Sequence, residues 1–181
     1  MKNRIFTVSN VLSLSRIVLL LPLLLLLFGT AWPHRRLYAI VVIVLGMVTD
    51  SLDGYFARKF NEVSTLGKII DPVADKICIA VIVVVLGLLK DIPLWYVYVV
   101  LTRDAVIFLG GLYVKQKKGI VLASTMSGKV AVVFIALTLT FALLGNPFFT
   151  VAVQTFLWIS IGTMAFSVFT YTRRFLSVLQ S

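Results

Sequence analysis

Residues 50–76 read "DSLDGYFARKFNEVSTLGKIIDPVADK" and join two long apolar runs of the chain. The first run ends with Asp50 and Asp53, and the second begins with Asp71 and Asp75. A carboxylate within a bilayer is costly, and where one occurs it usually has a function. The stretch therefore predicts a pair of membrane helices, joined by a short loop, that hold their acidic side chains for a chemical purpose.

The composition indicates an integral membrane protein. Of the 181 residues 60% are hydrophobic and 13% are charged, which leaves too little polar surface to coat a soluble domain. In a soluble protein the net charge of +10 would suggest nucleic acid as a partner. Here the charge fits an anionic membrane surface and anionic substrates instead. Cys78 is the single cysteine, so the chain forms no internal disulfide.

Six apolar runs are long enough to form membrane spans, since about 20 apolar residues cross the hydrocarbon core as a helix. The predicted spans are residues 10–29, 37–58, 66–89, 93–114, 125–144 and 149–172. Residues 1–9 are predicted to be a short juxtamembrane segment on the membrane surface. The sequence thus predicts an all-α integral membrane protein in which six transmembrane helices form one bundle and one domain, residues 1–181.

The basic residues of the termini and loops are distributed unequally between the two sides of the membrane. The positive-inside rule places the richer side, with both termini and the aspartates, in the cytoplasm, and we expect the inner membrane of a prokaryote. The richer side has ten Lys and Arg residues: Lys2, Arg4, Arg58, Lys59, Lys68, Lys115, Lys117, Lys118, Arg173 and Arg174. The other side has three: Arg35, Arg36 and Lys90.

Helical geometry groups the four aspartates into two pairs. Asp50 and Asp53 share one face of their helix, because an α-helix turns about 100° per residue. Asp71 and Asp75 lie about 6 Å apart along one side of the next helix. Four carboxylates in one pocket of low dielectric repel one another unless they are protonated or bind cations. Their oxygen atoms suit Mg²⁺ or Mn²⁺, and their number suits two ions.

Small residues beside the aspartates leave room for a large ligand. Gly54 and Ala57 remove side-chain bulk from the carboxylate face, and Gly67 begins the next helix one turn before the third aspartate. Pro72 donates no backbone hydrogen bond, so a bend or a free acceptor is expected beside it. A pyrophosphate matches this arrangement, and Arg58 is the candidate phosphate contact.

The aspartates belong to a longer pattern, Asp50-x2-Asp53-Gly54-x2-Ala57-Arg58-x8-Gly67-x3-Asp71-x3-Asp75. This pattern resembles the signature of the CDP-alcohol phosphatidyltransferase family at all eight defining positions, which extend over 26 residues. Near the N-terminus, Asn10-x2-Ser13-x2-Arg16 resembles the Asn-x-x-Thr-x-x-Arg element of the family, with serine in place of threonine. The predicted six spans are also similar, so the resemblance covers essentially the whole chain.

The resemblance implies that CDP-diacylglycerol donates its phosphatidyl group to an alcohol and that CMP is released. It implies that two divalent ions, Mg²⁺ or Mn²⁺, are bound by Asp50, Asp53, Asp71 and Asp75. Asp75 would also contact the acceptor and take its proton. The residues implied for donor and nucleotide binding are Asn10, Ser13, Asp53, Gly54, Ala57, Arg58 and Gly67.

Two acceptors fit the remaining polar residues. Arg103 and Lys129 lie on the inner halves of neighbouring spans and are candidates to bind an acceptor phosphate, which favours sn-glycerol 3-phosphate and a phosphatidylglycerophosphate synthase. "DPVADK" resembles the corresponding segment of such members. However, Asp104 stands where many of them have Glu, and "SGK" at residues 127–129 is shorter than their Gly-Lys-x-Lys-Thr pattern. A cardiolipin synthase that uses phosphatidylglycerol is therefore the alternative.

Other interpretations of the same residues stay open. The aspartates also fit an ion-coupled transporter or a cluster of helix caps. Arg103 has the alternative of pairing with Asp104, and Lys129 that of extending to the inner membrane surface. Gly110 and Gly111 predict close helix packing, either within the chain or in a homodimer.

Overall fold

The computed structural model describes the backbone of residues 8–29, 34–59, 67–119 and 125–180, and the side chains of residues 18–29, 34–46, 48, 76–119 and 125–179. Apart from short turns, these residues are helical. The helices are α1 (Val8–Phe28), α2 (Arg35–Lys59), α3 (Gly67–Leu88), α4 (Leu94–Lys118), α5 (Met126–Leu144), a 3-10 helix (Pro147–Phe149) and α6 (Thr150–Gln180). The all-α fold with six long helices is confirmed, while residues 1–7 of the expected juxtamembrane segment lie outside the described part.

Two helices end later than predicted. The loop expected from Lys115 begins only after Lys118, so its first four residues are helical. After Gly111 no glycine or proline occurs before Gly119, which has a left-handed φ of 69° and donates its N–H to the carbonyl of Lys115. In the same way α6 continues past the predicted end at residue 172 to Gln180. The apolar run gives the length of the span, whereas the helix extends until a residue terminates it.

Three of the helices are long and apolar enough to cross a membrane, counting only residues whose side chains are described: Leu94–Lys118, Met126–Leu144 and Pro147–Leu179. Two further apolar stretches, Val18–Phe28 in α1 and Lys76–Leu88 in α3, are shorter than a membrane span when only residues with described side chains are counted. The protein is therefore embedded in a membrane, and the number of six spans stays a prediction.

The chain forms two compact units, an N-terminal unit (Met1–Val85) and a C-terminal unit (Leu86–Ser181), with the boundary inside α3. In the N-terminal unit α1 packs against α2. One face of α1 is buried, and the opposite face is exposed, as expected for a helix between a protein neighbour and lipid. The buried residues are Leu20, Leu23 and Leu27, and the exposed ones include Val18, Leu21 and Leu25.

In the C-terminal unit α6 packs against both α4 and α5. The buried side chains between these helices are mainly apolar, and large apolar side chains such as Leu109 and Trp158 are exposed on the outside. The buried set includes Tyr96 and Val100 on α4, Ile135 and Leu139 on α5, and Leu157 and Met164 on α6. The three helices thus form a small bundle whose outer surface suits hydrocarbon.

Gly110 and Gly111 allow α4 to approach α6 closely. A Cβ atom at Gly110 would lie 3.3 Å from Cε1 of Tyr171, and one at Gly111 would lie 3.1 Å from the Tyr171 hydroxyl oxygen. The predicted close packing is confirmed, and it occurs within the chain. The homodimer stays a prediction.

Candidate active site

All eight positions of the aspartate signature lie in helices. Those in α2 are Asp50, Asp53, Gly54, Ala57 and Arg58, and those in α3 are Gly67, Asp71 and Asp75. The spacings of three and four residues within the aspartate pairs are therefore helical spacings. Carboxylate oxygens are the ligands that hard divalent cations prefer, so two carboxylates from each helix fit such ions by their chemistry. The side chains of these residues lie outside the described part of the structure, so their roles as metal and donor ligands stay predictions.

Asn10 and Ser13 lie in the first two turns of α1, which begins at Val8. Both residues are inside the helix rather than at its N-cap, where a side chain accepts hydrogen bonds from the free N–H groups of the first turn. Their side chains are not among those described, and donor binding stays a prediction for both.

The Arg103 guanidinium connects α4 to α6. Its Nη1 donates to Oδ1 of Asp104 at 2.5 Å, and its Nη2 donates to Oγ of Ser167 on α6 at 2.9 Å. The Arg103 side chain is 9% exposed and that of Asp104 is 18% exposed, so the ion pair is largely shielded from solvent. The alternative of pairing with Asp104 is thereby confirmed.

The contacts with Asp104 and Ser167 leave some N–H groups of the Arg103 guanidinium able to bind a ligand. Arginine has five N–H donors, and the two contacts use only two of them. The Nε atom is buried, and among the described side chains none accepts a hydrogen bond from it. A buried donor is normally satisfied, so Arg103 has capacity for the oxygen atom of a ligand or a water.

The first turn of α5 is held by hydroxyl groups. Thr125 is the N-cap, and its Oγ1 accepts a hydrogen bond from the N–H of Gly128 at 3.1 Å. The Ser127 hydroxyl donates to the same Oγ1 at 3.1 Å and lies 2.6 Å from Oγ1 of Thr170 on α6. Threonine is a favourable N-cap because its oxygen satisfies a free N–H group of the helix. These contacts fix the N-terminus of α5 against α6.

Arg103 reaches this first turn of α5 at Gly128. A Cβ atom at Gly128 would lie 3.5 Å from Oγ of Ser167 and 3.6 Å from Nη2 of Arg103. A helix N-terminus carries a partial positive charge, so it repels a guanidinium placed beside it. The carboxylate of Asp104 offsets part of this repulsion, and a bound anion would offset more of it.

Lys129 follows Gly128 on α5, and its side chain is exposed. Its backbone N–H donates to the carbonyl of Thr125 at 3.1 Å, so the residue belongs to the same first turn. The structure thus brings the largely shielded Arg103 side chain close to the turn from which Lys129 projects. An exposed ammonium group is compatible with phosphate binding and with extension to the membrane surface.

Sequence reasoning missed Ser167 and Thr170, the two residues through which α6 contacts this region. A signal was present for Ser167, because it lies seven residues after Ser160 on the apolar helix α6. Residues at that spacing share a helix face, and small polar residues on one face of a membrane helix are typical of a helix contact.

The comparisons with known proteins agree with the sequence signature. The model of the CDP-alcohol phosphatidyltransferase family matches residues 6–169. A CDP-diacylglycerol–glycerol-3-phosphate 3-phosphatidyltransferase of Bacillus subtilis is 30% identical over 136 residues, covering 69% of this chain and 70% of that protein. A cardiolipin synthase (CMP-forming) of Streptomyces coelicolor is 36% identical over 109 residues, covering 59% of this chain and 51% of that protein.

A third relative, a CDP-diacylglycerol–glycerol-3-phosphate 3-phosphatidyltransferase of Rickettsia bellii, is 34% identical over 95 residues, covering 52% of each protein. The chain spans about half the length of most of the curated relatives that it matches. The family match is more extensive, because it includes the N-terminal element, the whole aspartate signature, Arg103 and Lys129. The protein therefore belongs to the CDP-alcohol phosphatidyltransferase family.

Proposed function

We propose that this protein transfers the phosphatidyl group of CDP-diacylglycerol to sn-glycerol 3-phosphate. The observation that carries the proposal is the match of the family model to residues 6–169, a range that includes all eight positions of the aspartate signature. A hydroxyl oxygen of the acceptor attacks the phosphatidyl phosphorus, and the bond from that phosphorus to the CMP oxygen breaks. The products are phosphatidylglycerophosphate and CMP.

Divalent-metal dependence is general to the family, and four aspartates of this chain fit such ions. We propose Asp50, Asp53, Asp71 and Asp75 as the ligands of two ions, Mg²⁺ or Mn²⁺. When bound, the ions neutralise the pyrophosphate and stabilise the charge that develops on the leaving CMP. Asp75 takes the proton of the attacking hydroxyl, so it is the catalytic base.

The donor and the acceptor phosphate bind to different residues. For the donor we propose Asn10, Ser13, Asp53, Gly54, Ala57, Arg58 and Gly67. For the acceptor phosphate we propose Arg103 and Lys129, supported by the position of Arg103 Nη2 beside Gly128 in the N-terminal turn of α5. A guanidinium and a helix N-terminus both bind phosphate oxygens, and the exposed Lys129 adds a positive charge at the same turn.

The relatives support two acceptors. The match to the Bacillus subtilis protein, whose name gives glycerol 3-phosphate as the acceptor, extends over 136 residues and 70% of that protein. The match to the Streptomyces coelicolor cardiolipin synthase is shorter but closer, at 36% identity. Cardiolipin synthesis from phosphatidylglycerol is therefore the second candidate. Family membership favours either reaction over ion-coupled transport, since the family model matches residues 6–169 and describes a phosphatidyltransferase.

The proposed location is the cytoplasmic membrane of a prokaryote, with both termini and the aspartates on the cytoplasmic side. The distribution of Lys and Arg supports this orientation. A cytoplasmic active site has direct access to glycerol 3-phosphate, which is charged and does not cross a bilayer unaided. A homodimer is compatible with the proposal but is not required for it.

Competition between acceptors tests the proposed function. Purified protein in lipid–detergent micelles with CDP-diacylglycerol and Mg²⁺ is offered glycerol 3-phosphate, phosphatidylglycerol, serine or inositol phosphate. We expect CMP release with glycerol 3-phosphate, and the lipid product identified as phosphatidylglycerophosphate. Cardiolipin formed from phosphatidylglycerol would identify the second candidate. If no acceptor supports CMP release, the proposed function is wrong.

Arg103→Ala and Lys129→Ala are each expected to raise the KM for glycerol 3-phosphate, Arg103→Ala by about tenfold or more, because a hydrogen bond between charged groups is lost. The KM for CDP-diacylglycerol is expected to change by less than about twofold. Steady-state kinetics with each substrate varied in turn measure both values.

Lys117→Ala is the matched control, because it removes an exposed positive charge from the end of α4, where the ammonium group contacts the Tyr113 hydroxyl. Its acceptor KM is expected to equal that of the unmodified protein. If Arg103→Ala and Lys129→Ala both retain that same acceptor KM, these residues do not form the phosphate pocket.

A further inference from the structure

Three polar side chains of the C-terminal unit are fully buried in the described structure: Thr138, Ser160 and Ser167. The Ser160 hydroxyl contacts the Tyr96 hydroxyl at 2.8 Å, and the Thr138 hydroxyl donates to the Phe134 carbonyl of its own helix at 2.8 Å. Of the three, Ser167 is the one whose hydroxyl accepts a hydrogen bond from a charged group, Nη2 of Arg103. Ser167 therefore differs from its buried counterparts in what it contacts.

The contact with Ser167 restricts the orientation of the Arg103 guanidinium. Asp104 adjoins Arg103 on α4 and holds Nη1, whereas Ser167 projects from α6 and holds Nη2. A guanidinium is planar, so contacts at two of its nitrogen atoms from two different helices limit its rotation. Among the described side chains, only Asp104 would then hold the Arg103 guanidinium if the Ser167 hydroxyl were removed, and it would do so at one nitrogen atom.

The same contact determines where the guanidinium lies. Nη2 and the Ser167 hydroxyl oxygen both lie next to the Gly128 position in the first turn of α5, at 3.6 and 3.5 Å from a Cβ atom built there. The partial positive charge of that helix end tends to push a guanidinium away. The hydrogen bond that the Ser167 hydroxyl accepts from Nη2 opposes this repulsion and favours a position of the charge beside the turn.

We infer that Ser167 is a positioning residue for the acceptor: its hydroxyl holds Nη2 of Arg103 beside the first turn of α5, and thereby aims the remaining N–H groups of the guanidinium at the acceptor phosphate. This inference rests on the proposed role of Arg103 in binding that phosphate. Ser167 acts through Arg103 and contributes no contact of its own to the donor lipid. Loss of the Ser167 hydroxyl therefore weakens binding of the acceptor and leaves binding of the donor lipid unchanged.

Ser167→Ala tests the inference, with Ser160→Ala as the matched control. Both variants remove one fully buried hydroxyl from the same face of α6. Ser167→Ala is expected to raise the KM for glycerol 3-phosphate about five- to tenfold, with kcat and the KM for CDP-diacylglycerol changed less than about twofold. Ser160→Ala is expected to leave all three values unchanged within about twofold.

A second variant, Ser167→Cys, provides the test if Ser167→Ala does not fold. Ser167→Cys preserves most of the side-chain volume but replaces the hydroxyl with a weak acceptor. It is expected to raise the acceptor KM in the same direction. An acceptor KM equal to that of the unmodified protein in whichever of the two variants retains normal donor kinetics overturns the inference.

The double variant Arg103→Ala/Ser167→Ala separates the two proposals. Because Ser167 acts through Arg103, removal of its hydroxyl is expected to have no further effect once the guanidinium is absent. Effects that multiply independently overturn the positioning role. If Arg103→Ala raises the acceptor KM and Ser167→Ala does not, only the positioning role fails. If Arg103→Ala has no effect, the proposed phosphate pocket fails and the positioning role with it.

Discussion

Replacing Asp75 with Asn is expected to abolish CMP release while leaving CDP-diacylglycerol binding largely intact. The variant loses the carboxylate that is proposed to take the proton of the attacking hydroxyl, and a general base contributes about 10²- to 10⁴-fold to a rate. Three of the four proposed metal ligands, Asp50, Asp53 and Asp71, remain. The donor pyrophosphate can therefore still bind to the metal ions, although its phosphorus is not attacked.

Two measurements check this result: CMP release at saturating glycerol 3-phosphate, and equilibrium binding of CDP-diacylglycerol to the purified variant. Asp91→Asn is the matched control, because it removes a carboxylate from the turn that follows α3, at the opposite end of that helix from Asp75. Asp91→Asn is expected to turn over at the normal rate. Normal turnover in Asp75→Asn would remove Asp75 from the mechanism.

Removal of divalent metal is expected to abolish turnover completely, and added Mg²⁺ or Mn²⁺ is expected to restore it. Without the cations, the four carboxylates of the proposed metal site would repel one another and the pyrophosphate of the donor. The measurement is CMP release after chelation and dialysis, followed by titration with each metal. Turnover that persists in protein shown by metal analysis to be free of divalent ions would contradict the proposed metal site.

Asp53→Asn tests whether an aspartate of the signature binds the metal. The variant is expected to need a metal concentration about tenfold higher or more for half-maximal turnover, because one charged ligand is lost from the site. Asp91→Asn again serves as the control, and its metal dependence is expected to equal that of the unmodified protein. A normal metal titration in Asp53→Asn would show that this residue is not a ligand.

The helices were largely predictable from the sequence because the length of an apolar run is a local property. Residues 125–144 were predicted as one span, and α5 is Met126–Leu144. The prediction failed at the end of α4, where Lys115, Lys117 and Lys118 were assigned to a loop. Positive charge marks the side of the membrane, but it does not end a helix, and the backbone continues to Gly119.

The candidate site was predictable to a different degree in its two parts. The aspartate signature was recognisable because its residues are close in the chain and helical periodicity relates them directly. The acceptor pocket was less accessible to sequence reasoning. Arg103 was named, but its contact with Ser167 joins residues that are 64 positions apart, and no periodicity within one helix relates them.

The sequence by itself was enough to establish a membrane-embedded helical protein and its family, and to identify the aspartates proposed to bind metal. Each of these conclusions follows from patterns along one helix or two consecutive helices. Helix packing added what such patterns cannot contain: α6 lies against both α4 and α5, and it supplies the hydroxyl groups that hold Arg103 and the start of α5. The physical reason is that a hydrogen bond depends on distance in space, and distant segments of a chain are brought to that distance only by packing.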